Sequence, residues 1–242
     1  MTDDLPFAPL PVRRVETSPH LGPPPPDRWP ATVPAVAQLL GDGLDLGPAT
    51  VLVGENGTGK STLVEAIAMA FGLNAEGGST GAMHRTFTSE STLHDHLSCR
   101  RGPGAPRWGF FLRAETMHSF YTYLDEVGMG DALHECSHGE SFLALLDSPR
   151  YLREGFYVFD EPESALSFTA QLRLLAQLIE LAESGSQILL STHSPVLAAL
   201  PGARLLELGD WGWRDTTWDE LEVVGHYRSF LDAPQRYLRH LR

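Results

Sequence analysis

Lysine is almost missing from this chain. Seventeen of its eighteen Lys+Arg residues are arginine, and the exception is Lys60. Cysteine is scarce as well. Cys99 and Cys136 cannot build a disulfide framework, so the expected setting is reducing and cytoplasmic. No apolar run approaches the ~18 residues that a membrane-crossing helix needs, so any membrane role is expected to come through a partner. The opening Met1-Thr2-Asp3-Asp4 is acidic with no apolar core behind it, which argues against a secretory signal. Positive charge is in short supply, and the formal net charge is −13. That disfavours the surface as a whole as a nucleic-acid binder, because phosphate backbones demand a basic footprint. One stretch is locally basic: Arg85, Arg100, Arg101, Arg107 and Arg113 stand against Glu90 and Asp95. It is read as a solvated, arginine-rich loop, with an anionic partner such as nucleic acid as the alternative.

A chain of 242 residues fits one domain and can bury a core without staples. Residues 1–48 are short apolar pieces cut by proline, and Pro23-Pro24-Pro25-Pro26 excludes helix or central strand there. An irregular N-terminal wrap with edge strands is expected. An α/β pattern follows. Ala49–Val53 reads as a strand, and Ser61 to Gly72 as a helix with Leu63, Ile67 and Phe71 on one face. Trp108–Leu112 reads as a strand, residues 114–150 as a short helical insert, and Phe156–Phe159 as a buried strand. Thr169 to Glu183 reads as a helix with a stripe at Leu172, Leu175, Leu178, Ile179 and Ala182, ended by Gly185. Gln187–Leu190 is the next strand. Strands alternating with helices predict a largely parallel sheet covered on both faces.

The lone lysine sits in Gly54-Glu55-Asn56-Gly57-Thr58-Gly59-Lys60-Ser61-Thr62, which fits the phosphate-binding pattern G-x-x-x-x-G-K-[ST] between a strand and a helix. Glycines let backbone N–H groups converge on phosphate oxygens, and the helix N-terminus adds partial positive charge. Lys60 is expected at the β- and γ-phosphates of ATP and Ser61 at Mg²⁺. A compact ammonium fits such a cradle better than a forked guanidinium, a reason for lysine at this one position. Asp160 ends an apolar strand, at the sheet edge where ligands bind. Asp160 is expected to hold Mg²⁺ and Glu161 to act as general base on the attacking water; Glu163 reads as a solvated turn residue. His94, His96 and Cys99 form a partial metal pattern with no fourth ligand in sight, and surface or loop residues are the favoured reading.

These residues, taken in order, resemble the ATP-binding-cassette (ABC) class of P-loop ATPases. The Gly54–Thr62 loop is similar to the first phosphate motif of that class, and Phe156-Tyr157-Val158-Phe159-Asp160-Glu161-Pro162 to its carboxylate strand with catalytic glutamate. Ser137-His138-Gly139-Glu140-Ser141 resembles a degenerate signature motif, and Ser191-Thr192-His193-Ser194-Pro195 its switch histidine. The resemblance covers residues 49–200 and is nearer to small soluble ATPases of DNA-repair and chromosome-maintenance complexes than to transporters. It implies an ATP-dependent homodimer in which Ser137, Gly139 and Glu140 of one copy reach the nucleotide of the other. It also implies His193 as γ-phosphate sensor and an unidentified protein partner moved by hydrolysis. Ser137-x-x-Glu140 is independently a capping box opening a helix. Two positions depart from the class: Glu115 stands nearest to the usual glutamine as a metal or water ligand, and Ser167 replaces a common aspartate. Trp29, or another aromatic of the N-terminal wrap, is a candidate to stack on adenine.

The competing readings are a P-loop small-molecule kinase, a non-catalytic nucleotide-dependent scaffold and a soluble ATPase subunit of a transporter. The kinase reading leaves Ser137, Gly139 and His193 without a role, intact Glu161 counts against the scaffold, and the short insert counts against the transporter. Lys60→Arg keeps the charge but not the shape. ATP turnover is expected to fall about 100-fold or more in that variant; wild-type turnover in a phosphate-release assay would remove the geometric reason for the lone lysine.

Overall fold

The computed structural model describes residues 9–75, 77–80, 91–113 and 153–239. In chain order its strands are β1 (Arg14–Thr17), β2 (Leu44–Asp45), β3 (Ala49–Gly54), β4 (Gly78–Ser79), β5 (Leu97–Arg100), β6 (Gly109–Arg113), β7 (Phe156–Asp160), β8 (Gln187–Thr192), β9 (Arg204–Gly209) and β10 (Gly212–Thr216). The longer helices are α1 (Pro34–Asp42), α2 (Lys60–Phe71), α3 (Phe168–Glu183) and α4 (Glu222–Asp232). Among the described residues the main sheet has the order β10-β9-β3-β8-β7-β6-β4. Its five central strands, β9 to β6, run parallel, and the two edge strands are antiparallel. A second, antiparallel sheet has the order β2-β1-β5.

The apolar runs explain the central strands. Every residue of β7 and of β8 is buried, as a strand covered on both faces requires. Alternation then divides their side chains. Tyr157 and Phe159 join one core with α3 and α4; Phe156 and Val158 join the other with α1, α2 and the small sheet. The parallel-sheet expectation is met.

The N-terminal wrap is more regular than its prolines suggest. Pro34 sits in the first turn of α1, where its missing N–H costs nothing, and Ala35, Val36 and Leu39 are buried below it. The wrap is tied to the sheet by Gln187, which is fully buried at the start of β8. Its Oε1 accepts from Val12 N at 2.8 Å, and its Nε2 donates to Val12 O at 2.6 Å and Gly47 O at 2.9 Å.

Helix α3 buries Leu174, Leu178 and Leu181, so of the stripe read from the sequence only Leu178 is fully buried. Leu175, Ile179 and Ala182 pack partly, while Leu172 is 45% exposed. The leucines of this helix spread over roughly half of its circumference, so periodicity alone admits neighbouring stripes. Leu172 and Phe168 instead line a groove of about 720 Å³ with Pro195, Trp218, Tyr227 and Leu231. Ser167 caps α3, accepting from Ala170 N at 3.3 Å, which gives this position a structural role in place of the aspartate.

The arginine stretch is not simply solvated. Arg100 pairs with Glu16, and Arg101 lies over the Phe71 ring at 4.3 Å. Arg113 reaches Glu65 at 2.8 Å. Arg107 is exposed, and Arg85 lies outside the described residues.

Gln187→Leu would leave two backbone carbonyls and one N–H of the wrap buried without their partner. A loss of about 3 kcal/mol is expected, read as a lower midpoint in urea denaturation.

Candidate functional site

Parallel register assembles the site. Arg113, Asp160 and Ser191 are paired positions across β6, β7 and β8, and Val53 pairs with Thr192. Four carboxyl ends therefore meet at one edge. Because β8 lies between β3 and β7, His193 emerges between the glycine loop and the carboxylates.

Gly54 ends β3 against β9 so closely that a Cβ there would stand 2.7 Å from Leu208 O. Glu55, Asn56 and Gly57 are exposed on the loop. Thr58 Oγ1 donates to Glu55 O at 2.8 Å, which closes the turn. Gly59, at φ 97°, is the N-cap of α2 and faces Val33 of the wrap. The first amides of a helix lack intrahelical acceptors, so those of Lys60, Ser61 and Thr62 are placed for an anion.

Lys60 is 3% exposed. Its Nζ donates to Glu55 O at 3.0 Å and stands 3.4 Å from Glu161 Oε1. Burial pushes its pKa down, opposed mainly by the Glu161 charge. Asp160 is 5% exposed and accepts from Ser191 Oγ at 2.6 Å. Desolvation pushes its pKa up, opposed by bonds from Ser191 and Ser61 and by the Arg113 charge. Arg113 Nε is 3.5 Å from Asp160 Oδ2, so one guanidinium links Glu65 of α2 to the carboxylate strand. Sequence reasoning missed Arg113, whose role exists only through its register with Asp160.

Glu161 adopts φ 47°, ψ 50°, a left-handed conformation that non-glycine residues rarely take. Its N–H donates to Ser191 O at 3.1 Å, and its Oε1 lies 2.6 Å from His193 Nε2. Thus Lys60, Glu161 and His193 converge on one carboxylate oxygen. Glu163 is a correction. It is no solvated turn residue: Oε1 accepts from Thr192 Oγ1 and His193 N, both at 2.6 Å, and from Ser194 N at 3.2 Å. Its donors lie on a segment about thirty residues later, so no local pattern marks them.

The Ser61 hydroxyl and the Asp160 carboxylate, close enough for the hydroxyl to influence the carboxylate's charge state, are hard oxygen donors. They suit Mg²⁺, which is commonly held by one or two carboxylates, waters and substrate phosphates. His94, His96 and Cys99 form no metal-holding group among the described residues. His96 Nδ1 donates to Gly22 O at 2.8 Å, His94 Nδ1 to Ser91 O at 3.1 Å, and burial pushes the Cys99 thiol up to about 12. Trp29 is 62% exposed. Ser137, Gly139, Glu140 and Glu115 lie outside the described residues.

A phosphate loop, a buried aspartate followed by glutamate on a parallel strand, and a histidine from the strand between them form an arrangement similar to that of ABC-class P-loop ATPases. Comparison with known proteins finds partial similarities. Residues 44–107 match the family model described as "AAA domain", and residues 134–199 the one described as "AAA domain, putative AbiEii toxin, Type IV TA system". The ribose import ATP-binding protein RbsA of Roseobacter denitrificans is 29% identical over 188 residues, 67% of this chain and 37% of that protein. An uncharacterized ABC transporter ATP-binding protein of Haemophilus influenzae is 32% identical over 75 residues, 31% of this chain and 28% of that protein. The chain thus spans 37% and 28% of the lengths of these curated relatives. Among solved structures, cbiO1 from Clostridium perfringens, part of the ABC transporter complex cbiONQ, aligns at TM-score 0.46 and 15% identity, covering 82% of this chain and 89% of that one. The SMC head domain from Thermotoga maritima aligns at TM-score 0.41 and 15% identity, covering 72% and 92%.

The Asp160 pKa is raised above its unfolded value, so its ionised form penalises folding above the folded pKa, and the penalty lifts as pH falls through it. Asp160→Asn is accordingly expected to stabilise the nucleotide-free protein at neutral pH by about 1 kcal/mol, about 2–4 °C in Tm. A lower Tm would count against desolvation as the dominant effect.

Proposed function

We propose that this chain binds ATP with Mg²⁺ and hydrolyses it, and that hydrolysis drives a conformational change in a protein partner. The observation that carries the reading is the convergence of Lys60 and His193 on Glu161 Oε1, at 3.4 and 2.6 Å. A phosphate-binding cation, a base and a polar sensor share one point at the end of the sheet. In this reading the loop amides and Lys60 hold the β- and γ-phosphates, and Ser61 and Asp160 hold the metal, which offsets charge on the phosphates. Glu161 takes the proton of the attacking water, and His193 contacts the γ-phosphate. Nucleotide would draw Lys60 from Glu161 and free that carboxylate for water.

Completion of the site by a second copy, through Ser137, Gly139 and Glu140, is part of the same proposal. So are the cytoplasmic setting and a role for Glu115 near the metal. The resemblance to proteins named for ribose import and ABC transport supports a second reading, a soluble ATPase subunit working on a membrane partner.

Glu161→Gln is expected to lower turnover about 100-fold or more while leaving ATP bound and trapping a dimer. Light scattering with saturating ATP tests the dimer; a monomer under those conditions removes the two-copy site. Turnover near wild type removes Glu161 as the base.

A further inference from the structure

We infer that Glu163 is the positioning residue for His193, an assignment that rests on the proposed ATPase reading. Glu163 Oε1 gathers the Thr192 hydroxyl, the His193 N–H and the Ser194 N–H. These are the last residue of β8 and the first two beyond it. A carboxylate accepting from backbone N–H groups makes charge-assisted bonds, stronger than neutral ones. The other carboxylate oxygen is buried and has no hydrogen-bond partner among the described residues. Leaving such an oxygen unsatisfied is costly, so the bonds at Oε1 must outweigh that cost for the side chain to stay turned inward.

The turn that carries Glu163 also carries Glu161. Ser164 N and Oγ both bond Glu161 O, at 3.2 and 2.7 Å, and Leu166 N bonds Glu163 O at 2.9 Å. One short turn, Pro162–Ala165, therefore holds the proposed base at one end and clamps the loop of the proposed sensor two residues later. The 2.6 Å approach of His193 to Glu161 is set through this clamp as well as by the imidazole itself. Ser194 adds a second tie, donating from Oγ to Gln171 Oε1 at 2.6 Å on α3. Glu163 acts through His193 and need touch neither nucleotide nor water.

The test uses the full chain with Glu163→Ala, Glu163→Gln and His193→Ala, each checked for a cooperative thermal transition. Glu163→Ala is expected to lower kcat about 10- to 100-fold with the KM for ATP within about twofold. Glu163→Gln retains an accepting oxygen and is expected to recover most of the loss. In the His193→Ala background, Glu163→Ala should change kcat by less than about twofold, because its effect runs through the missing ring. Independent losses that multiply in the double variant would overturn the assignment. A second arm needs no turnover: hydrogen exchange of the nucleotide-free protein. The His193 and Ser194 amides should exchange about tenfold faster or more in Glu163→Ala, with Leu189 and Leu190 unchanged. Unchanged exchange at 193 and 194 overturns the clamp. If wild type turns over no ATP, the proposed function fails, and the exchange arm alone still decides whether Glu163 holds the loop.

Discussion

Charge buried at the end of a parallel sheet has to be matched by opposite charge in the same small space, and this constraint governs the site. Lys60 and Asp160 are almost wholly withdrawn from water, at 3% and 5% exposure. Neither could remain ionised there alone. Two chains of contact share the load. One runs from Glu65 through Arg113 to Asp160, the other from Lys60 through Glu161 to His193. Helix α2, three strand ends and the turn after β7 are needed to supply these groups, so the sheet's register and the site's charge balance are one requirement.

Strand β8 has a particular part in this arrangement. It begins at Gln187, whose amide binds the N-terminal wrap, and it ends where Glu163 grips the His193 segment. Between those points every residue is buried. The same rigid strand therefore anchors the fold at one end and presents the histidine at the other. Gly59 packs beside Val33, which brings the wrap against the phosphate loop from the far side. Elements that look like an ornament in sequence form two of the supports of the loop.

What could be read from the sequence follows a physical division. Lys60, Ser61, Asp160 and Glu161 stand out because local spacing, a glycine loop and a strand running into acids, suggests a chemistry for them. His193 was legible from its strand and from the order of motifs. Glu163 and Arg113 were not, since each acquires its partners only when strands distant in sequence come into register. Helix α1 was hidden by prolines that a first helical turn tolerates, and the exact buried face of α3 by leucines spread over roughly half of its circumference. Ser137, Gly139, Glu140 and Glu115 lie outside the described residues, and their assignment stays with the resemblance that suggested it.

The solitary lysine also has a consequence for the chain's covalent chemistry. Within these 242 residues there is one side-chain primary amine, and it is 3% exposed behind the loop that folds over it. Amine-directed modification, whether acyl transfer, isopeptide tagging or a bifunctional cross-linker, thus finds no surface lysine to act on. Any adduct on a lysine is by necessity an adduct at Lys60, at the end of the glycine loop.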